Sequence, residues 1–179
     1  MHKCLLIVDI QKGFISEHTK HILERIDNLV DSQIFDCVIA TRFVNKDNSP
    51  YRKFLLWDKL STEGEIALYK PVEHKACMIV DKYGYSGLTQ DILRYLTSNK
   101  IDIIFIAGID TDCCVLATAI DLFEHNIRPF VLEYYCASNG GIENHNAAIK
   151  ILERLIGNDS IIKGLITKQL INKIYRECK

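Results

Sequence analysis

The feature that most constrains this chain is residues 101–109, Ile-Asp-Ile-Ile-Phe-Ile-Ala-Gly-Ile, where apolar residues follow one another almost without a break. Successive side chains of a strand point to opposite faces, so a strand of this composition cannot leave one face in water. It has to lie inside a sheet covered on both sides. Similar short runs occur at residues 4–8, 36–41, 77–80 and 129–132, with a weaker one at 160–163. Between them apolar residues recur at helical spacing, over 20–30 (Ile22, Leu23, Ile26, Leu29, Val30), 87–97 (Leu88, Ile92, Leu93, Leu96), 112–125, 143–156 and 167–177, with a shorter candidate over 51–60 after Pro50. Strand and helix therefore alternate. That order predicts an α/β, three-layer α/β/α Rossmann-like fold with a mostly parallel, roughly six-stranded sheet and right-handed crossovers. With no repeat, low-complexity segment or linker in view, residues 1–179 are expected to form one domain.

Charge and cysteine usage narrow the function. Lys and Arg number 22 and Asp and Glu 23, interspersed, for a formal net charge of −1. No basic face or block emerges, so neither nucleic acid nor an anionic membrane is the expected main partner. No apolar stretch is long enough to cross a bilayer, and the start lacks a signal peptide's basic lead and cleavage site. The seven cysteines are odd in number and fall mostly within predicted strands. That pattern fits reduced thiols in the cytoplasm and not a secreted disulfide framework. There is no Cys-x-x-Cys, His-x-His or His-x-x-x-His spacing, so no metal site and no cofactor is expected.

Open α/β sheets bind ligands beyond the carboxyl ends of their strands. Three complementary residues fall there: Asp9 after the first strand, Lys82 just past the third, and Cys114 after the fourth, at the opening of a helix capped by Thr111 or Asp112. Singly, each has an ordinary explanation, as a turn residue, a surface charge and a small core residue. Together they can do chemistry. A thiol attacks as its thiolate, which helix amides and a nearby ammonium stabilise. A carboxylate in reach can take the thiol proton and later deliver it to a leaving amine. Backbone amides at the same turn can hold an oxyanion.

At these residues the chain resembles the isochorismatase-like cysteine hydrolases, which include nicotinamidases and related small-amide hydrolases. Leu5-Leu6-Ile7-Val8-Asp9-Ile10-Gln11-Lys12-Gly13-Phe14 is similar to the family's opening motif. Lys82-Tyr83-Gly84-Tyr85-Ser86-Gly87-Leu88 resembles its lysine motif, and Gly108-Ile109-Asp110-Thr111-Asp112-Cys113-Cys114-Val115 its nucleophile motif. His145 and Ala148 fall in a helix like its closing segment. The resemblance implies that Asp9 is general base and acid, that Lys82 holds the thiolate and orients Asp9, and that Cys114 forms a thioester with a small amide-type substrate. It implies a cis Ile109–Asp110 peptide and an oxyanion hole from the Asp110 and Cys114 amides. A homo-oligomer, dimer or tetramer, is implied as well.

The sequence departs from the pattern in places. Residues 41–47 read Thr-Arg-Phe-Val-Asn-Lys-Asp, without the histidine of the nicotinamidase metal site. Asp110 stands where a small residue is usual, and either borders the oxyanion turn or faces away. Phe14, Asn45, Trp57 and Tyr85 are the expected substrate contacts, suited to a small, flat or moderately polar ligand. Arg42 and the Tyr51-Arg52-Lys53 group are expected on the surface. Adjacent residues on a helix point about 100° apart, so Cys113 is expected to pack away from the pocket that Cys114 faces. Two other readings stand beside the hydrolase: a thiol redox or peroxide sensor using Cys113 and Cys114, and a catalytically silent binding module of the same fold.

Overall fold

Along the first strand Leu5 and Ile7 face one side and Cys4, Leu6 and Val8 the other, and all five are buried. The sheet is therefore covered twice, as its apolar runs require. The computed structural model describes residues 3–178; residues 1, 2 and 179, the ends of the expected domain, lie outside the described residues.

The chain runs β1 (Cys4–Val8), α1 (Leu23–Asp31), β2 (Cys37–Phe43), α2 (Pro50–Leu55), α3 (Glu63–Ile66), α4 (Lys70–Lys75), β3 (Met78–Lys82), α5 (Gln90–Ser98) and β4 (Ile103–Ile109). A π-helical turn (Thr111–Val115) then leads into α6 (Leu116–Glu124), followed by β5 (Arg128–Ala137), α7 (Gly141–Ile156), β6 (Ile161–Ile162) and α8 (Lys168–Glu177). The six strands lie in the order β3-β2-β1-β4-β5-β6, each pair parallel. Residues from α1, α4 and α8 cover one face, with Ile26, Val72 and Ile171 fully buried against Leu5, Phe105 and Leu132. Residues from α5, α6 and α7 cover the other, where Ile92, Leu122 and Leu152 meet Leu6, Ile106 and Val131.

Strand order reverses between β1 and β4, since β1 leads outward to β2 and β3 while β4 leads to β5 and β6. Such a reversal opens a crevice at the carboxyl ends of the two central strands. Here Gly108 pairs with Val8 so closely that a Cβ on it would lie 2.1 Å from the Val8 carbonyl oxygen, and its φ is +142°. Only glycine fits this position. Register slips at the same height, Ile106 pairing with Val131 but Gly108 with Cys136, so β5 runs on past Leu132 through a bulge to Ala137.

Two short helices escape a periodicity reading because neither spans enough residues to display one. α3 is held by a capping box between Thr62 and Glu65, and α4 has proline in its first turn. α2 is shorter than the expected 51–60 helix because Leu56 adopts a left-handed conformation that ends it.

Candidate active site

Asp9 follows β1 in a left-handed conformation (φ 52°), which aspartate tolerates better than most residues. Its carboxylate is wholly buried. Thr41, on the neighbouring strand β2, donates from Oγ1 to Asp9 Oδ1 at 2.7 Å and accepts from the Asp9 N–H at 3.2 Å. Oδ2 meets Lys82 Nζ at 2.8 Å as an ion pair, with no hydrogen-bond donor aligned on it. Lys82 is the last residue of β3 and lies within the strand. Its Nζ donates to the Gly84 and Tyr85 carbonyls at 2.8 and 2.9 Å and to Cys114 Sγ at 3.2 Å. A lysine whose side chain is 1 % exposed is far from the solvated charge that an isolated lysine usually is.

Cys114 reaches this pair from the other side of the switch point. The Ile109–Asp110 peptide is cis, and the Val115 N–H reaches back to the Asp110 carbonyl at 3.0 Å, giving the turn i→i+5 bonding. Cys113 and Cys114 both line the same cleft. This corrects the expectation that Cys113 packs away. The angle between neighbours on a regular helix does not apply within a π turn. Thr118 Oγ1 donates to the Cys114 carbonyl at 2.6 Å and accepts from the Gly87 N–H at 2.7 Å, tying the turn to the loop after β3. Thr111 Oγ1 pairs with His145 Nδ1 at 2.8 Å, fixing the turn to α7; burial holds His145 below its ordinary pKa.

The electrostatics differ from a stabilised thiolate. Burial first, and then the Asp9 carboxylate, push the Cys114 thiol well above its ordinary value, although Lys82 pulls the other way. The expected lowering by an ammonium is overridden because the thiol is buried and that ammonium is already shared with Asp9 and two carbonyls. Burial likewise pulls Lys82 down, but Asp9 and Cys114 outweigh it and hold the ammonium above the ordinary lysine range. The site thus sets a buried ion pair, Lys82 with Asp9, beside a thiol held well above its ordinary pKa.

Cys114 opens into a cleft of about 590 Å³. Its walls are aromatic. Phe14 and Trp57 stack with centroids 6.2 Å apart, Phe43 sits 6.0 Å from Trp57, and Tyr51 packs edge-on against Phe43 and Tyr85 at 5.0 and 5.1 Å. The structure brings Phe14, Trp57, Tyr85 and Asp110 to this cleft, but not Asn45. That amide is buried beneath the loop, donating to the Trp57 and Lys59 carbonyls at 2.9 Å each, so it braces the wall without lining it. Tyr51 corrects a second expectation. It is buried in the cleft wall and not solvated with Arg52 and Lys53, because a short helix turns one side inward. Arg42 pairs with Asp81 across strands β2 and β3.

Phe43, Tyr51 and Asn139 line the cleft as well, and Thr41 orients Asp9; none stands out in the sequence as a site residue. The signal for Thr41 and Phe43 is their position at the end of a strand. Asn139 lies beyond the bulge of β5, which no pattern announces.

A buried ionic pair and a thiol at the switch point of a parallel sheet define an α/β protein with a cysteine-centred cleft. Residues 3–159 match the model of the isochorismatase domain, and the chain belongs to that family. Among curated relatives, isochorismatase family protein 1B of Dictyostelium discoideum is 30% identical over 107 residues, 59% of this chain and 49% of the relative. Protein 2A of the same organism is 27% identical over 134 residues, covering 72% and 63%. This chain thus spans about half to two thirds of the length of those relatives. Similar solved folds include an isochorismatase-like hydrolase from Alkaliphilus metalliredigens (TM-score 0.81, 15% identity, 98% of this chain and 100% of that one). Nicotinamidase/pyrazinamidase from Bacillus subtilis (0.78, 22%, 92% and 100%) and N-carbamoylsarcosine amidase from Thermoplasma acidophilum (0.77, 20%, 91% and 95%) share it too.

Proposed function

We propose that this chain hydrolyses a small amide-type C–N bond through a covalent thioester on Cys114, with Asp9 as base and acid and Lys82 as the cation that holds both. The observation that carries the reading is Lys82 Nζ standing 2.8 Å from Asp9 Oδ2 and 3.2 Å from Cys114 Sγ at the floor of a cleft. As Sγ attacks the carbonyl carbon, the thiol proton passes to Asp9. The oxyanion that forms is held by the backbone amides of Asp110 and Cys114. Collapse breaks the C–N bond, and Asp9 gives the proton to the departing nitrogen, leaving a thioester on Cys114. Water then attacks the thioester carbonyl, losing a proton to Asp9, and the second collapse returns that proton to sulfur and releases the acid. Each step moves one proton between Asp9 and its neighbour. No redox partner is consumed.

A protonated resting thiol suits this cycle, because the carboxylate that raises the thiol's pKa is the base that relieves it when substrate arrives. Phe14, Trp57 and Tyr85 supply flat apolar contact to the substrate. The reading carries with it the expectation of a single domain working in the cytoplasm as a dimer or tetramer, for which sedimentation of the purified chain is the test. The redox alternative rests on Cys113 and Cys114 sharing one cleft. Against it, burial first and then Asp112 and Asp110 push the Cys113 thiol up to about 11, whereas a peroxide-sensing cysteine needs thiolate character.

The test is ammonia release from a panel of small primary carboxamides and ureido compounds, with Cys114→Ala alongside. Release that disappears in the variant supports the reading. Absence of any Cys114-dependent release across the panel sinks it.

A further inference from the structure

Asp110 contributes a carboxylate to the cleft, at the turn whose amides would hold the oxyanion. Its Oδ1 accepts from the Asn139 backbone N–H at 2.7 Å and from Asn139 Nδ2 at 2.9 Å, and the same Nδ2 reaches the Phe14 carbonyl at 3.1 Å. The carboxylate is thus held in place. Among the described residues nothing donates to Oδ2.

The charges around it do not balance. Asp9 and Lys82 cancel, and all of Lys82's near contacts are taken by Asp9, two carbonyls and the thiol. The other basic side chains that line the cleft, His18 and Lys59, are exposed. Asp110 therefore leaves the interior one negative charge in excess, and an oxyanion would add a second beside it. Like charges close together in a half-buried cleft oppose each other, so this carboxylate hinders the step its own backbone amide assists. A positive group brought by the substrate removes the conflict. It also suits the walls, since aromatic faces attract cations.

Resting on the hydrolase reading, we propose that the substrate is a cationic amide, carrying an ammonium or amidinium group near the scissile carbonyl, and that Asp110 is the residue that selects it. Oδ2 takes the cation, Oδ1 stays on Asn139, and the apolar part of the ligand lies between Phe14, Trp57 and Tyr85. The carboxyl group has the character of a receptor short of its partner. Burial, opposed by the Asn139 hydrogen bonds and reinforced by Asp112 and Asp9, raises it to about 6, yet it remains mostly ionised at neutral pH.

Binding separates this inference from the hydrolysis it rests on. Calorimetry with the Cys114→Ala protein at neutral pH compares β-alaninamide with propanamide, and meta-aminomethylbenzamide with meta-methylbenzamide, pairs that differ in their ammonium group. The expected result is that at least one ammonium member binds about tenfold or more tightly than its neutral counterpart, a difference of about 1.4 kcal/mol, and that Asp110→Asn reduces the ratio to about one. The preference within the Cys114→Ala protein needs no change at Asp110, so it remains readable if Asp110→Asn fails to fold. Equal binding within both pairs, tighter binding of the neutral members, no binding by any of them, or a preference that survives in a folded Asp110→Asn protein overturns the inference. If ammonium ligands bind through Asp110 but no amide yields Cys114-dependent ammonia, the hydrolase reading fails and the charge recognition stands. If neutral amides are hydrolysed as fast as cationic ones, hydrolysis stands and the selection by Asp110 fails.

Discussion

The sheet carries thiols at both ends, and the two groups differ in their surroundings although thiols of both are pushed above their ordinary pKa. At the amino ends Cys4 and Cys37 open β1 and β2 in register, and Cys77 immediately precedes β3. The sulfurs of Cys37 and Cys77 lie 2.9 Å apart, and the Tyr95 hydroxyl donates to Cys37 Sγ at 3.3 Å. At the carboxyl ends Cys114 stands beside a carboxylate, an ammonium and an open cleft. Thiols at both ends are pushed above their ordinary pKa: Cys4 by its hydrogen bond with the Cys37 thiol and then by burial, Cys77 by burial up to about 11, and Cys114 by burial and Asp9. A shifted thiol therefore does not mark the site. What sets the Cys114 end apart is a carboxylate paired with an ammonium that also reaches the thiol, and an open cleft beside them.

Substitutions that break this contrast should differ by orders of magnitude. Cys114→Ala is expected to lower amide hydrolysis by about 10⁴-fold or more, measured as ammonia release, since the thiol bonded to Lys82 is the one removed. The next largest effect falls on stability. Lys82→Met leaves the Asp9 carboxylate buried and unpaired, at a cost of about 3–5 kcal/mol by urea unfolding, and Asp9→Asn added to it should restore most of the loss.

A smaller effect sharpens the comparison through pH. Burial raises the Asp110 carboxyl to about 6, so its negative charge is expected above that pH and is lost as pH falls through it. The groups facing it from the packed elements are Asp112, Asp9 and the Asn139 donors, with Cys113 protonated throughout this range. The preference for an ammonium ligand over its neutral counterpart should accordingly shrink severalfold between pH 7.5 and pH 5, as read by calorimetry; a constant ratio would mean that some other group holds the cation. The smallest effect is at the opposite end of the sheet. Cys77→Ser should leave hydrolysis within about twofold of the parent, because among the described residues none at the amino ends of the strands lines the cleft.

Much of this arrangement is legible in the sequence alone. The apolar runs dictate a parallel sheet, and its carboxyl edge singles out Asp9, Lys82 and Cys114. The sequence pattern puts Lys82 past its strand because β3 is an edge strand whose burial is broken, with Ile79 40% exposed, so the apolar run stops before the ladder does. The shared exposure of Cys113 and Cys114 to one cleft is hidden, since a π turn has no sequence period. Tyr51 is hidden by its charged neighbours. Asn45 misleads in the other direction: an amide in a loop beside a pocket suggests a ligand contact, but unpaired loop carbonyls claim such a group first. Local pattern reveals which strands exist and which residues lie at their ends. Which side chains a loop turns inward depends on contacts made far along the chain.

The most direct test of the central claim is mass spectrometry of the Cys114 peptide, after brief incubation with a hydrolysed amide and an acid quench. An acyl group on Cys114 is expected, of the substrate's mass less its departing nitrogen, forming before ammonia release becomes steady and absent from Cys113. Steady ammonia release with Cys114 unmodified at every time point, or with the acyl group on another cysteine, would contradict it.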